Sequence, residues 1–216
     1  SLAAVLLKSG TLSTHGIALG QVGGIADWNV AATGFVPFIV FLIAGTAELN
    51  RPPFDLVEAE QEIVGGYHTE YSSIRFALFF LAEFMNVVTF SGIMVTLFFG
   101  GPAGPAFVGP AWLWGMLWFV LKVLVFLSMF VWFRATLPRL RYDQLMDLGW
   151  KLLIPLSLVW LLFVAALDVG ADEGWPKVVI VVVAVGAMMV AGGLLSAAIN
   201  AARHKRLADA DLEGSI

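Results

Sequence analysis

Apolar runs long enough to cross a bilayer recur along this chain: Phe76 to Phe99, Leu113 to Phe133, Trp150 to Leu167 and Val178 to Ala202. A hydrocarbon core about 30 Å thick takes roughly 20 apolar residues in helical form. Within it every backbone polar group must be paired internally, which leaves helices and closed barrels. These runs are continuous instead of alternating, so they read as helices. Of the 216 residues, 60% are hydrophobic and 13% are charged, against about 25% charged in soluble domains. The expected fold is an all-α polytopic membrane protein.

Residues 1–14 read as the end of a helix, with Lys8 inside its apolar stretch, and further sequence is expected before Ser1. His15 to Asn29 reads as a Gly-containing loop, and 30–47 as the first of five full spans, with Pro37 expected to kink it or free a carbonyl. The other spans are expected at 76–99, 113–133, 150–167 (interrupted by Pro155) and 178–202. Segments 48–75 and 134–151 connect them on one side. Gly100 to Pro110 is a loop by composition. Trp112, Trp114, Trp118 and Trp132 suit the two membrane interfaces. Nine of the twelve basic residues fall at Arg51 and Arg75, at Arg134, Arg139, Arg141 and Lys151, and at Arg203, Lys205 and Arg206. Five alternating spans put all nine on one face, assigned as cytoplasmic by the excess of positive charge.

That face carries the densest polar chemistry. Between Ala47 and Asn86 the chain reads AELNRPPFDLVEAEQEIVGGYHTEYSSIRFALFFLAEFMN. Glu48, Asp55, Glu58, Glu60, Glu62 and Glu70 crowd one connection, and Glu83 lies within the next apolar run. Asp55, Glu58 and Glu62 have the spacing of one helix face. Carboxylates in such a cluster raise one another's proton affinity, and ionisable groups in or beside a bilayer mark ion, proton or substrate paths. Lys122 sits mid-way along its own run and must pair, snorkel or deprotonate. Glu83 is the expected partner, since the two depths differ by about 6 Å at ~1.5 Å per residue. The plainer alternatives are a solvated acidic loop and a structural ion pair.

Other chemistries find little support. The chain has no cysteine, which removes disulfides and the thiolates that hold iron–sulfur clusters. His15, His68 and His204 all lie outside the spans, so a haem held by two intramembrane histidines is not available. The basic cluster at Arg203 to Arg206 reads as topogenic and not as a nucleic-acid site, and Gly192 and Gly193 as helix-packing residues. What remains is an ion-conducting component of a larger machine or a free-standing transporter.

Two segments carry a family resemblance. AELNRPPFDLVEAEQEIVGGYHTEYSS and, from Trp132 to Lys151, WFRATLPRLRYDQLMDLGWK resemble the motifs of a membrane subunit of NADH–quinone oxidoreductase, respiratory complex I: the family that includes mitochondrial subunit 1 and its bacterial counterparts. The departures are Leu49 for a usual threonine, Ala59 for glycine, Gln61 for serine and Phe84 for tyrosine; no carboxylate is lost. The family has further helices before the position matching Ser1, so the chain is expected to be truncated relative to it.

The resemblance implies a subunit that anchors the peripheral arm, contributes to a quinone chamber and carries an acidic path coupling quinone reduction to proton translocation. On that basis Glu48, Glu70 and Glu83, with Lys122, match the proton path. Arg51, Phe54, Asp55, Glu58, Glu60 and Glu62, with Arg134, Arg139 and Asp143, match the chamber and its coupling loop. Phe54, Phe76, Phe79 and Phe80 are candidates to line an apolar passage. A quinone, ubiquinone or menaquinone, would be the substrate at a shared site. No cofactor or metal is expected on this chain itself, and FMN and iron–sulfur clusters are expected in partner subunits. Partners would be the peripheral-arm quinone-site subunits, neighbouring membrane subunits and the lipid bilayer, with no nucleic acid. The Ala/Gly/Val-rich composition points to a bacterial plasma membrane over a mitochondrial one. The rival readings are the ion-translocating membrane subunit of a related membrane-bound hydrogenase, a secondary transporter, for which paired repeats are missing, and a passive scaffold, which has no use for Glu83 and Lys122.

Overall fold

The structure, a computed structural model, describes residues 1–55, 71–105 and 110–172, together with helical positions 179, 182, 186 and 193. The expected fifth span, apart from those four positions, and Glu58, Glu60, Glu62 and Glu70 of the acidic loop lie outside the described residues. Among the described residues every regular element is a helix, as the apolar runs require. Three stretches have the length and hydropathy to cross a membrane: Ile74–Phe98, Trp112–Thr136 and Tyr142–Gly170.

The chain divides into two compact units, Ser1–Met146 and Asp147–Ile216. In the first, α1 (Leu2–Ser9) stops at Gly10, whose φ of 62° suits glycine, and the Gly10 N–H closes the helix on Leu6 O. The segment expected to be a plain loop is largely helical: α2 (Thr14–Leu19), a 3-10 turn (Ile25–Asp27) and α3 (Asn29–Ala32). The expected first span is broken. Gly34 takes φ 82°, and α4 (Phe35–Glu48) begins there with Pro37 in its first turn, where the missing N–H would have had no partner within the helix. Its 14 residues reach only about 21 Å at ~1.5 Å per residue.

Two long helices follow, α5 (Ile74–Phe98) and α6 (Ala111–Thr136), which pack on each other more extensively than any other pair. The core forms where α1, α2 and α4 meet them: Val5, Ile17, Phe38, Met94, Val95, Phe98, Val123 and Phe126. Its rings meet mostly edge-on, as Phe38 does with Phe98 and Phe99 at 5.7 and 5.2 Å, the arrangement ring quadrupoles favour. Gly45 lets α4 sit close against α5, since a Cβ there would run into the Phe90 ring. A smaller cluster of Leu49, Val87 and Phe130 continues the core toward the acidic loop. The outward faces of α5 and α6 remain apolar, with Leu78, Leu81, Leu121 and Val125 exposed, as helices facing lipid or other spanning helices require. The unit ends within α7 (Tyr142–Asp147), whose last residue begins the second.

The second unit opens on a π-helical turn, Leu148–Leu153, in which the Ile154 N–H bonds to Gly149 O, five residues back. It runs into α8 (Ile154–Asp172), with Pro155 in that helix's first turn. A proline clashes with the carbonyl four residues before it, and the wider π turn takes up that clash without ending the helix. This is the structural form of the expected interruption at Pro155.

Candidate functional site

Leu49 ends α4, and Asn50 takes a left-handed φ of 48°, which turns the chain so that the Arg51 N–H reaches Thr46 O at 3.2 Å. That turn aims Arg51 inward. Its guanidinium lies over the Phe84 ring, 4.8 Å from the centroid, and Nη2 meets Glu83 Oε1 at 2.9 Å. Both side chains are largely shielded, 13% and 16% exposed. A charge pair of this kind persists in an apolar setting because each partner offsets the other's desolvation; removing one alone costs about 3–5 kcal/mol.

Three residues further on, Phe54 and then Asp55 are both buried. Arg139 Nη2 approaches Asp55 Oδ2 at 3.5 Å, and the Leu140 N–H donates to Pro53 O at 2.9 Å. The 51–55 segment is therefore fastened on two sides: to α5 through Glu83, and to the connection after α6 through Arg139 and Leu140. These contacts bring together Arg51, Asp55, Glu83 and Arg139 of the expected site residues. Glu48 and Arg134 stand on exposed surface, as does Asp143, so each faces lipid, water or a neighbouring chain instead of the core.

The aromatic expectations divide. Phe54 packs inside the chain's own fold. Phe76, Phe80 and Phe84 form a ladder up one face of α5, with centroids 5.7 and 4.8 Å apart, and Tyr71 meets Phe79 at 5.0 Å. All of these rings keep substantial exposure. The ladder ends at Phe84, under the Arg51 guanidinium.

Lys122 does not pair with Glu83. Its ammonium donates to three carbonyls, Phe99 O at 2.7 Å, Gly101 O at 3.1 Å and Ala103 O at 2.7 Å, and lies 4.7 Å from the Trp28 ring centroid. Phe99 is about 24 Å along α5 from Glu83 at ~1.5 Å per residue. Helical side chains lean toward their own N-terminus; α5 and α6 run in opposite directions, so Glu83 and Lys122 lean apart. Gly100 and Gly101, at φ 71° and 52°, turn the chain back so that its carbonyls converge on the ammonium. The end of a helix carries partial negative charge, which makes the end of α5 a good seat for a cation.

Beside this seat is a hub that gave no signal in the sequence. Gln21, 1% exposed, accepts the N–H groups of Asn29 and Gly100 on Oε1, each at 3.0 Å, and donates through Nε2 to Ile17 O and Thr96 O. Asn29 donates its side-chain amide to Leu97 O at 2.8 Å. A cavity of about 710 Å³ opens next to it, lined by Val22, Trp28, Pro102, Trp114, Trp118 and Lys122 among others. It lies at the far end of α5 from Glu83. Among the described residues no three His, Asp or Glu side chains converge as a metal site.

Comparison with known proteins agrees with this architecture. A family model described as NADH dehydrogenase matches residues 1–165. The chain is 50% identical over 214 residues to a Frankia casuarinae protein named as the H subunit of NADH-quinone oxidoreductase, covering 94% of this chain and 45% of that one. It is 49% identical over 198 residues to the protein of the same name from Frankia alni, covering 88% and 43%. The chain thus spans a little under half the length of these relatives.

Proposed function

The chain belongs to the NADH dehydrogenase family, and from that premise we propose that it acts as a membrane subunit of a proton-pumping NADH:quinone oxidoreductase in a bacterial plasma membrane. Its part is to form one wall of the quinone chamber and to carry protons past Glu83 when the quinone is reduced. The observation that supports this best is the Arg51–Glu83 pair, a carboxylate held nine residues inside a spanning helix and bound to the 51–55 segment. Ionisable groups at such depth are costly and mark transport paths. Quinone reduction takes up two protons through an anionic stage. Negative charge arriving beside the 51–55 segment raises the proton affinity of nearby carboxyls, and Glu70, Glu83 and Glu48 are the groups to which that change passes. Glu58, Glu60 and Glu62 complete the acidic segment, with Arg134, Arg139 and Asp143 at the chamber's edge.

In this reading Lys122 leaves the proton path, because its ammonium is committed to three carbonyls at the opposite end of α5. The exposed aromatic ladder Phe76–Phe80–Phe84 is the apolar surface along which an isoprenoid tail passes, and buried Phe54 backs the segment from within. Purification of the native complex tests the assignment. The chain should bring flavin and iron–sulfur subunits with it, and a photoreactive quinone analogue should label it on or near α5. A preparation without redox subunits, or labelling confined to other chains, would contradict it.

A further inference from the structure

The cavity at the far end of α5 plays no part in the quinone reading, yet its walls are firmly built. Gln21 spends its amide N–H groups on Ile17 O and Thr96 O, and its carbonyl on the Asn29 and Gly100 N–H groups. Trp118 Nε1 donates to Pro105 O at 2.9 Å, and Gly104 lets that segment lie against the Trp118 ring, which a Cβ there would strike. Trp28 stands edge-on to Phe99, with centroids 5.8 Å apart. Lys122 has given its N–H donors to three carbonyls. The polar groups of Gln21, Trp118 and Lys122 are thus engaged within the protein and leave little for a polar ligand to bind.

What the cavity does offer is apolar surface, from Val22, Ile25, Trp28, Pro102, Trp114 and Trp118. Its volume of about 710 Å³ falls within the ~300–1,000 Å³ of small-molecule pockets. Packed interiors leave few voids larger than one water molecule, and a space with apolar walls takes an apolar occupant in preference to water. Val22 and Ile25 are exposed at its rim, so an occupant can enter from outside the chain.

Depth in the membrane selects that occupant. Trp114 and Lys122 both line the cavity from α6, and the stretch between them is about 12 Å long at ~1.5 Å per residue. That is close to the depth of one leaflet's hydrocarbon, about half of ~30 Å. Arg134 occupies the last turn of α6, so the cavity belongs to the leaflet away from the basic residues, with Trp112 and Trp114 suited to headgroup depth. Beside it Met116, Leu117 and Leu121 of α6 are exposed, which continues the apolar surface outward from the cavity.

We propose that this cavity is a lipid site, which takes one acyl chain of a phospholipid from the leaflet opposite the acidic segment. The glycerol and headgroup stay at the level of Trp112, and the chain runs inward along Trp114 and Trp118 toward the stem of Lys122. It fills the space between the 21–28 and 102–105 segments and so ties both to α6. The site requires only that α6 cross a bilayer and stands apart from the quinone chemistry.

The test exchanges into the assembled complex a phosphatidylcholine with a photoreactive diazirine on one acyl chain. The complex is washed with detergent and illuminated, and the adducts are mapped by peptide mass spectrometry. Adducts on the peptide holding Trp114 and Trp118 should survive the wash, while those at Leu78 and Leu81 on the open face of α5 should disappear. A Cβ at Gly115 would make ordinary contact with Pro102 at 3.5 Å, so the position tolerates a side chain, and Gly115→Leu puts its bulk into the cavity. The surviving adducts should then fall about ten-fold, the affinity of roughly two excluded methylenes. Val22→Asp places a charge at the exposed rim, should act in the same direction, and carries the test if Gly115→Leu fails to assemble. Wild-type adducts that the wash removes from Trp114 and Trp118 as readily as from α5, or that keep their level in the variants that assemble, would overturn the site. So would a photoreactive amino acid in place of Val22 that joins another stretch of protein and no lipid, since the cavity would then be filled by a neighbouring helix.

Discussion

Replacing Lys122 with methionine removes the charge and every donor while keeping most of the stem's volume. Three carbonyls, of Phe99, Gly101 and Ala103, lose the ammonium that now satisfies them at 2.7–3.1 Å. Each acceptor left without a partner costs about 1–3 kcal/mol when shielded from water, and the contact with Trp28 adds about 0.5–1 kcal/mol. The lysine is only partly buried and borders a cavity of about 710 Å³, so water can reach some of these carbonyls. The net destabilisation should be about 3–5 kcal/mol once that rescue is included. Domain stabilities are about 5–15 kcal/mol, so Lys122→Met should lower the thermal inactivation midpoint of the assembled complex markedly. Lys122→Arg should recover only part of the loss, because a planar guanidinium does not fit three converging carbonyls. The complex that survives should move the wild-type number of protons per quinone reduced. A variant of undiminished thermal stability with reduced proton stoichiometry would refute the reasoning and return Lys122 to the proton path.

Gly45→Leu should destabilise the chain by about 1–3 kcal/mol or prevent assembly, since the added side chain forces the Phe90 ring out of its place; Phe90→Ala in the same chain should recover part of the loss, read as assembled complex per cell. Gln21→Leu leaves the Asn29 and Gly100 N–H groups without their acceptor and should cost about 2–4 kcal/mol, seen as a lowered thermal midpoint with quinone reductase activity per surviving complex unchanged.

Much of this arrangement could be read in the residues, and the parts that could not have identifiable causes. Glu83 and Lys122 were conspicuous because a charge in an apolar run has no cheap explanation. Their partners were not, because depth along a run says nothing about which way a side chain leans. Antiparallel α5 and α6 send these two apart, toward Arg51 and toward the carbonyls past Phe98. Arg51 was legible as part of a motif, but its inward turn depends on the left-handed Asn50, which composition does not announce. Gln21 and Asn29 were silent for another reason. Uncharged polar residues in a glycine-containing stretch look like loop, and only the fold shows that Gln21 is enclosed between α2 and the end of α5. The break at Gly34 was hidden by the apolar residues on either side of it, whereas Pro155 pointed openly to a disturbance that the chain resolves as a π turn.

The central claim is that Glu83 carries protons whose passage is tied to quinone chemistry. The most direct measurement is the number of protons moved per quinone reduced by the assembled complex carrying Glu83→Gln, reconstituted in sealed vesicles. A glutamine keeps the size of the side chain and can still accept a hydrogen bond from Arg51, but it cannot relay a proton. The expected result is a lowered stoichiometry in a complex that still assembles and still accepts electrons from NADH. An assembled Glu83→Gln complex that pumps the wild-type number of protons would contradict the claim.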